Sequence, residues 1–199
     1  MEPRTISRWR NRLPHWEIEN GSYFITIRCQ GSLPLTAQRQ IREIKESLEQ
    51  VVSNSDEFDR LQRRIFLTAE KYLDRCEGFA PFLDDHCCQS LAEELDTFAV
   101  GWQVRDWVIM PNHMHLFVSD QDSRISLSKA IRQFKGRSAR NCNQTLGRSG
   151  PFWQRDWFDR WIRIDAERIK VQRYIANNPV KAKLTSSPDE YRWLHSELD

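Results

Sequence analysis

Hydrophobic residues recur along the chain with two different spacings, and each spacing predicts a different kind of element. Short apolar runs predict β-strands at about 22–29, 103–109, 114–118 and 156–163. Apolar residues that recur every three or four positions predict helices at about 36–52, 57–75, 86–99, 125–143 and 165–177.

One antiparallel sheet with helices packed on it accounts for this order, so we predict an α+β domain of ferredoxin-like architecture. A chain of 199 residues suits a single domain, 1–199, with a full core. We expect residues 1–16 to form a basic N-terminal arm. The segment 53–100 is longer than a minimal domain needs, and we interpret it as a helical insertion between the first and second strands of the sheet.

Composition narrows the class of protein. The chain has no run of about 18 apolar residues, and its N-terminus lacks the apolar core of a signal peptide. Five cysteines without a secretory signal indicate a reducing compartment, so we expect a cytoplasmic protein with no membrane partner. His86-Cys87-Cys88 could supply half of a zinc site, but no second Cys/His cluster lies nearby, which favours simple packing.

The net charge of +2 is unevenly distributed along the chain. Residues 43–98 carry 14 acidic and 6 basic side chains, a local balance of −8, whereas residues 124–183 carry 15 basic and 4 acidic ones. The basic half predicts a surface that attracts a phosphate backbone. The charges alone fit an ordinary solvated face equally well.

Aromatic residues alternate with charged ones between positions 152 and 161. Such rings can stack on the bases of single-stranded DNA while arginines hold the phosphates, but a half-buried strand gives the same pattern. We expect Trp153, Phe158 and Trp161 to be mostly core. We expect Arg155 and Arg163 to remain available to DNA.

The most specific motif is His113-Met114-His115, which follows a Pro111-Asn112 turn. Alternate side chains of a strand share a face, so both imidazoles should point the same way while Met114 points into a core. Two imidazoles fixed on one strand make half of a metal site. Histidines at this spacing also occur by chance and only form hydrogen bonds.

A second motif lies on the last predicted helix, where Tyr174 and Asn178 are four residues apart and share a face. Tyrosine can form covalent intermediates, and an asparagine carbonyl suits a hard cation such as Mg²⁺ or Mn²⁺. A buried tyrosine and a capping asparagine are the structural alternative. We expect Asp165 to cap this helix, Pro179 to end it, and Asn178 to leave regular α geometry.

Together the two motifs resemble the Y1 transposases of the IS200 type, which are HUH nucleases, and in particular the REP-associated tyrosine transposases. The resemblance covers nearly the whole chain. Its matching segments are Arg12–Trp16, Tyr23–Arg28, Ser32–Pro34, Trp107–His115, Gly150–Gln154, Phe158–Arg160, Ile162–Arg163 and Tyr174–Ala182. The resemblance makes His113 and His115 ligands of Mg²⁺ or Mn²⁺ and Tyr174 the nucleophile. Asn178 stands where relatives often carry a glutamine ligand.

The resemblance implies a transposase that cleaves single-stranded DNA beside a hairpin, such as a REP-like palindrome, through a 5′-phosphotyrosine. Relatives of this kind are monomers or homodimers. The candidate DNA-binding residues are basic side chains of the arm, of the helix at 125–143, of the last strand and of the tyrosine helix: Arg4, Arg8, Arg10, Arg12, Lys129, Arg132, Lys135, Arg155, Arg163, Lys170 and Arg173. Either the metal or the nearby Lys170 and Arg173 are also expected to favour the phenolate of Tyr174.

Two other classes of function stay open at this point. A domesticated hairpin-binding protein that no longer cleaves would keep the basic and aromatic surface, but the intact His113, His115 and Tyr174 argue against it. A metal-dependent hydrolase of another substrate would need the histidine pair but not Tyr174, and it would form no covalent adduct with DNA.

Overall fold

A five-stranded antiparallel sheet with helices on both faces organises the chain in the computed structural model, which describes residues 4–10, 14–52 and 55–198. The elements are β1 (Thr5–Arg10), β2 (Pro14–Ile18), β3 (Ser22–Arg28), α1 (Leu35–Glu49), α2 (Asp56–Leu73), α3 (Asp85–Asp96), β4 (Trp102–Met110), β5 (His113–Asp120), α4 (Leu127–Thr145), β6 (Phe158–Ile162), α5 (Asp165–Lys181) and β7 (Leu194–His195). Among the helices of these ranges, none is both long and apolar enough to cross a membrane.

The strand order identifies the architecture. The sheet runs β6-β3-β5-β4-β7, and β7 is a two-residue addition at one edge. If the four longer strands are numbered 1 to 4 along the chain, they lie side by side in the order 4-1-3-2. Helices connect strand 1 with strand 2 and strand 3 with strand 4. This is the β-α-β-β-α-β arrangement of ferredoxin-like domains, so the predicted α+β fold is confirmed.

The central strand β5 separates two hydrophobic cores, because its alternate side chains point to opposite faces of the sheet. Met114, Leu116 and Val118 pack in the core that includes residues of α3 and α4. Phe117 packs on the other face with residues of α5, where the ring of His115 also lies. The predicted orientation of Met114 away from the histidines is confirmed.

Three helices, rather than one, connect β3 with β4. Helix α3 packs against α4, and its Leu91 and Leu95 belong to the main core. Helices α1 and α2 pack against each other around a separate small core, in which Leu48, Phe58 and Ile65 are buried. The predicted insertion at 53–100 thus contains one helix of this α1–α2 pair and one helix of the main core.

Two strands, β1 and β2, form an antiparallel hairpin where the sequence predicted only a basic arm. Buried polar side chains of β2 attach the hairpin to the domain. Glu17 accepts a hydrogen bond of 2.8 Å from the backbone N–H of Leu127, at the start of α4. His15 is hydrogen-bonded to Asp156, at 3.1 Å, and to Asp159. These contacts give the hairpin a fixed position on the domain.

Helix α5 runs to Lys181, so the prediction that Pro179 ends it is wrong, and Asn178 keeps helical geometry. The proline costs one backbone hydrogen bond, but packing of Ile175 against the sheet holds the helix through this position. The predicted cap is also wrong, because Ile164 occupies the N-cap position and Asp165 is the first helical residue.

The Cys87 and Cys88 side chains are fully buried in the main core, whereas the neighbouring His86 side chain is 88% exposed. The two thiols and the imidazole therefore point into different environments. This arrangement agrees with the packing interpretation of the His-Cys-Cys segment.

The His15 contact predicts how stability depends on pH. Burial disfavours the imidazolium, but the hydrogen bonds and charges of Asp156 and Asp159 outweigh it and raise the pKa of His15 from 6.5 to about 9. The stabilisation is complete below the unfolded-state pKa and is lost as pH rises through about 9. We expect the free energy of unfolding to fall by about 3 kcal/mol between about pH 7 and 10.

Urea denaturation of the wild type and of His15→Gln at a series of pH values measures this effect. The difference in unfolding free energy between the two proteins should shrink as the pH rises. Parallel pH profiles for the two proteins would show that the His15 charge does not stabilise the fold.

Candidate active site

Both histidines of β5 are fully buried on the sheet face that α5 covers, and their Nε2 atoms lie 3.2 Å apart. Each Nδ1 has its own partner at 2.8 Å, which is Oδ1 of Asn112 for His113 and Oγ1 of Thr26 for His115. The amide oxygen can only accept, so Nδ1 of His113 carries the proton and Nε2 keeps a lone pair. Partners of this kind orient metal-binding imidazoles.

The electrostatic environment keeps His113 in the form that binds metals. Burial, followed by the proximity of His115, lowers the pKa of His113 to about 3. The imidazole is therefore neutral at physiological pH. Neutral imidazole nitrogens are common metal ligands.

A third candidate ligand, Glu70, comes from α2, which the sequence analysis did not connect with the histidines. Its side chain is 2% exposed, and its Oε2 lies 3.4 Å from Nε2 of His115. Ligand atoms of Glu70, His113 and His115 all lie within 4.8 Å of one another. One feature of the sequence could have pointed to Glu70: it is an acidic residue on the apolar side of an amphipathic helix, between Phe66 and Leu73.

The charge of Glu70 is maintained in spite of its burial. Burial alone would raise the pKa of its carboxyl group, but the charge and hydrogen bond of His115, together with smaller contributions that include the Tyr174 hydroxyl, lower it to about 2. Glu70 therefore contributes a carboxylate to the cluster. A carboxylate and two imidazoles are a ligand set that divalent metals accept.

Asn178, the ligand predicted from sequence, lies on the buried face of α5 and is 1% exposed. Its Oδ1 and Nδ2 make no well-formed hydrogen bond within the described part of the chain. Oε1 of Glu70 is also buried there without a hydrogen-bond partner. Buried polar atoms normally have partners. The unsatisfied oxygens, together with the two Nε2 atoms that face each other beside Glu70, therefore fit a divalent cation such as Mg²⁺ or Mn²⁺.

Tyr174 lies one helical turn before Asn178, and its ring centroid is 5.3 Å from that of His115. Its hydroxyl donates a hydrogen bond to Oε2 of Glu70. Burial, followed by the negative charge of Glu70, raises the pKa of Tyr174 well above its usual value. The hydroxyl is therefore protonated here, and a phenolate forms only when the charge of Glu70 is compensated.

The positive charge nearest to Tyr174 differs from the one predicted. Lys170 and Arg173 are both exposed. Nζ of Lys181 lies 5.8 Å from the ring centroid of Tyr174 and pairs with Asp74 at 2.7 Å. The cation beside Tyr174 is therefore Lys181, in the last turn of α5, and not a residue of the preceding turns of the helix.

The predicted DNA contacts of α4 lie on the sheet face opposite to the histidines, because α4 packs in the other core. Lys129 and Arg132 are exposed. Lys135 is half-buried and donates hydrogen bonds to the carbonyl groups of Gln154 and Arg155, at 2.8 and 2.9 Å. Lys135 therefore connects α4 with the segment before β6.

The other predicted contacts lie around β6 and the N-terminal hairpin. Arg4, Arg155 and Arg163 are exposed, β1 contains Arg8 and Arg10, and Arg12 lies outside the described residues. The guanidinium of Arg163 lies 5.0 Å from the ring of Trp161 and 5.8 Å from that of Trp16. Of the aromatic residues expected in the core, Trp153 is buried, and Phe158 and Trp161 are half-buried.

Comparisons with known proteins identify a family for the central part of the chain. The family model described as "Transposase IS200 like" matches residues 81–178, which contain both histidines, Tyr174 and Asn178. No curated protein matches the chain. Several solved structures are similar to it at low identity, among them the following two.

One of these structures is a REP-associated tyrosine transposase bound to a REP hairpin. Its sequence is 18% identical to this chain and the TM-score is 0.49; the match covers 95% of this chain and 82% of the other. The other is a candidate transposase from Deinococcus radiodurans, with 13% identity and a TM-score of 0.33 over 79% of this chain and 89% of that one. Both TM-scores lie below 0.5, so the family assignment depends on the match over residues 81–178.

The cluster of Glu70 with the two histidines predicts a measurable metal affinity. We expect Mn²⁺ at about 100 times its Kd to raise the free energy of unfolding by about 2.7 kcal/mol. Glu70→Ala and His115→Ala should each weaken Mn²⁺ binding at least tenfold, roughly the loss of one good ligand, and Asn178→Ala should have a smaller effect.

Isothermal titration with Mn²⁺ checks these affinities. His86→Ala is the matched control, because it removes an exposed imidazole far from the cluster in sequence. An unchanged Mn²⁺ affinity in both Glu70→Ala and His115→Ala would contradict the metal site.

Proposed function

This chain belongs to the IS200-like transposases through its residues 81–178, and on that premise we propose that it is a metal-dependent transposase that cleaves single-stranded DNA. The observation that carries the proposal is the hydrogen bond from Tyr174 to Glu70. It joins the candidate nucleophile to the cluster of candidate metal ligands within one buried site.

Four side chains would hold the metal in this proposal: Glu70, His113, His115 and Asn178. A bound Mg²⁺ or Mn²⁺ supplies Lewis-acid stabilisation of the negative charge that develops on a phosphate oxygen. The surrounding residues keep the ligands in place, since Thr26 and Asn112 hold the outer nitrogens of the imidazoles. Burial of all four side chains excludes bulk water from the site.

Tyr174 performs the covalent step. Its phenolic oxygen forms a bond to the scissile phosphorus while the bond from phosphorus to the 3′ oxygen breaks. The products are a 5′-phosphotyrosyl protein and a free 3′-hydroxyl. Oε2 of Glu70 already accepts the hydrogen bond of the Tyr174 hydroxyl, so it is the nearest acceptor for the phenolic proton. The leaving 3′ oxygen then takes up that proton and becomes the 3′-hydroxyl. The phosphotyrosyl bond conserves the phosphodiester energy, so a 3′-hydroxyl can reverse the step and join strands.

We propose a hairpin with a single-stranded flank, such as a REP-like palindrome, as the substrate. A scissile phosphate must approach a half-buried tyrosine, which favours an unpaired strand over a duplex. Arg163 with Trp16 and Trp161 provides a combined cationic and aromatic surface for nucleic acid. The protein acts as a monomer or a homodimer in this proposal.

One observation favours the second candidate, a hairpin-binding protein that does not cleave. Burial and the charge of Glu70 keep the Tyr174 hydroxyl protonated, and a tyrosine that stays protonated would allow hairpin binding without cleavage. A metal-dependent hydrolase of another substrate would give a third outcome, in which cleavage proceeds without a tyrosyl adduct. Detection of the adduct separates the three functions.

We predict that the wild type, incubated with Mn²⁺ and a hairpin carrying a single-stranded flank, forms a DNA adduct that survives denaturant. Tyr174→Phe should abolish the adduct and the cleavage, because it removes only the attacking oxygen, and should bind the hairpin within about twofold of the wild type. Tyr72→Phe is the matched control, because it removes the hydroxyl of a tyrosine on α2 that bonds to Gln40.

Denaturing gels and mass analysis of the tyrosyl peptide provide the measurement. Cleavage by Tyr174→Phe at the wild-type rate would overturn the assignment of the nucleophile. Cleavage by the wild type without an adduct would favour the hydrolase, and tight binding without cleavage would favour the non-cleaving protein.

A further inference from the structure

The outward face of α2 carries a row of basic side chains within a region whose overall charge is negative. Arg60, Arg64, Leu67 and Lys71 are spaced by four, three and four residues, so they share one face of the helix. All four are exposed, and Leu67 is 53% exposed. Successive basic positions along such a face are about 6 Å or more apart.

The acidic residues of α2 and its C-cap lie at the two ends of this row or inside the protein. Asp56, Glu57 and Asp59 occupy the first turn of α2, where negative charge suits the helix N-terminus. Glu70 is buried in the candidate active site, and Asp74 pairs with Lys181. The outward face of α2 is therefore positive, which the local balance of −8 did not indicate.

Two clefts lie along this face of α2. The first, of about 330 Å³, lies among Arg60, Arg64 and Lys71. The second, of about 500 Å³, lies between α2 and the end of α5, where Lys71 meets Lys181 and Lys183. Leu67 and Lys71 line both clefts, so the two are continuous.

The second cleft lies next to a residue that contacts the candidate nucleophile. Glu70 lines it, and the carboxylate of Glu70 accepts the hydrogen bond of the Tyr174 hydroxyl. Lys181, on the opposite side of the cleft, lies over the ring of Tyr174. Cationic side chains therefore line the second cleft as far as Glu70, the hydrogen-bond partner of Tyr174, and Asp74 pairs with one of them, Lys181.

We propose that this face of α2, with the end of α5, binds the single strand of DNA that leads to Tyr174. The basic side chains would contact phosphates, and the exposed Leu67 would contact a base. The inference rests on the proposed function, because it names the surface that delivers the substrate to that site. Arg63 and Arg64 have no hydrogen-bonding or ion-pair partner within the described residues, so both are available to phosphate.

A single strand fits these observations better than a duplex or an acidic protein. The row of basic residues leads toward a half-buried tyrosine, which a flexible, unpaired strand can approach with its phosphate more easily than a duplex can. The isolated exposed leucine among cations is a pattern that suits alternating phosphates and bases. Binding should weaken steeply with salt, because each neutralised phosphate releases counterions.

Arg64→Ala/Lys71→Ala tests the proposal in the Tyr174→Phe background, where cleavage cannot alter the measurement. The matched control is Arg39→Ala/Arg42→Ala, which removes the same charge from exposed residues of α1 that line neither cleft. The probes are one DNA hairpin with a single-stranded flank of about ten nucleotides and the same hairpin with a blunt end. Fluorescence anisotropy at several salt concentrations gives the affinities.

We expect the α2 variant to bind the flanked hairpin roughly tenfold more weakly at low salt. Its plot of log affinity against log salt should be shallower by about 1.4, since each contact to a single strand contributes about 0.7. Its affinity for the blunt hairpin should stay within about twofold. The α1 control should match the parent protein on both probes.

An equal loss for the α1 control, or an equal loss on the blunt hairpin, would overturn the proposal, as would unchanged binding by the α2 variant. If the proposed function is wrong but the α2 surface is right, the two assays give different results. A wild type without a tyrosyl adduct would refute covalent cleavage, whereas the selective loss by the α2 variant would still locate the single strand on α2.

Discussion

The alternation of side chains along β5 is the constraint on which the rest of the structure depends. The strand is hydrogen-bonded to β3 on one side and to β4 on the other, so its side chains have no freedom to change face. One set fills the main core, and the other set includes both histidines. A slip of one residue in this strand would bury the imidazoles among apolar side chains and destroy the candidate site at the same time.

Glu70 shows that the site extends beyond the ferredoxin-like sheet and its two crossover helices. The histidines and Tyr174 come from the sheet and α5, but the carboxylate beside them comes from the α1–α2 pair. Phe66, one turn earlier on α2, packs near the ring of Tyr174. The position of α2 therefore decides both the charge beside the nucleophile and the route by which a strand reaches it.

Local periodicity predicted the sheet and the helices, and the spacing of His113, His115 and Tyr174 predicted where the chemistry lies. The sequence did not reveal Glu70, because its contact with His115 depends on how α2 packs against the sheet. The N-terminal strands were missed for a similar reason, since buried contacts of His15 and Glu17 hold them. Pro179 was misjudged because tertiary packing overrides a local helix-breaking preference.

The α1–α2 pair has its own small apolar cores, formed around Leu48 with Phe58 and around Ala37 with Leu73. Such a unit can open as a body while the main core stays intact, as cooperative units do in native-state hydrogen exchange. Separation of α2 from α5 would expose Tyr174 and leave β3, β4 and β5 paired. The free energy needed to uncover the nucleophile is therefore set by the few contacts that Phe66 and Glu70 of α2 make with α5 and the sheet, and mutations of these contacts can change it without disrupting the main core.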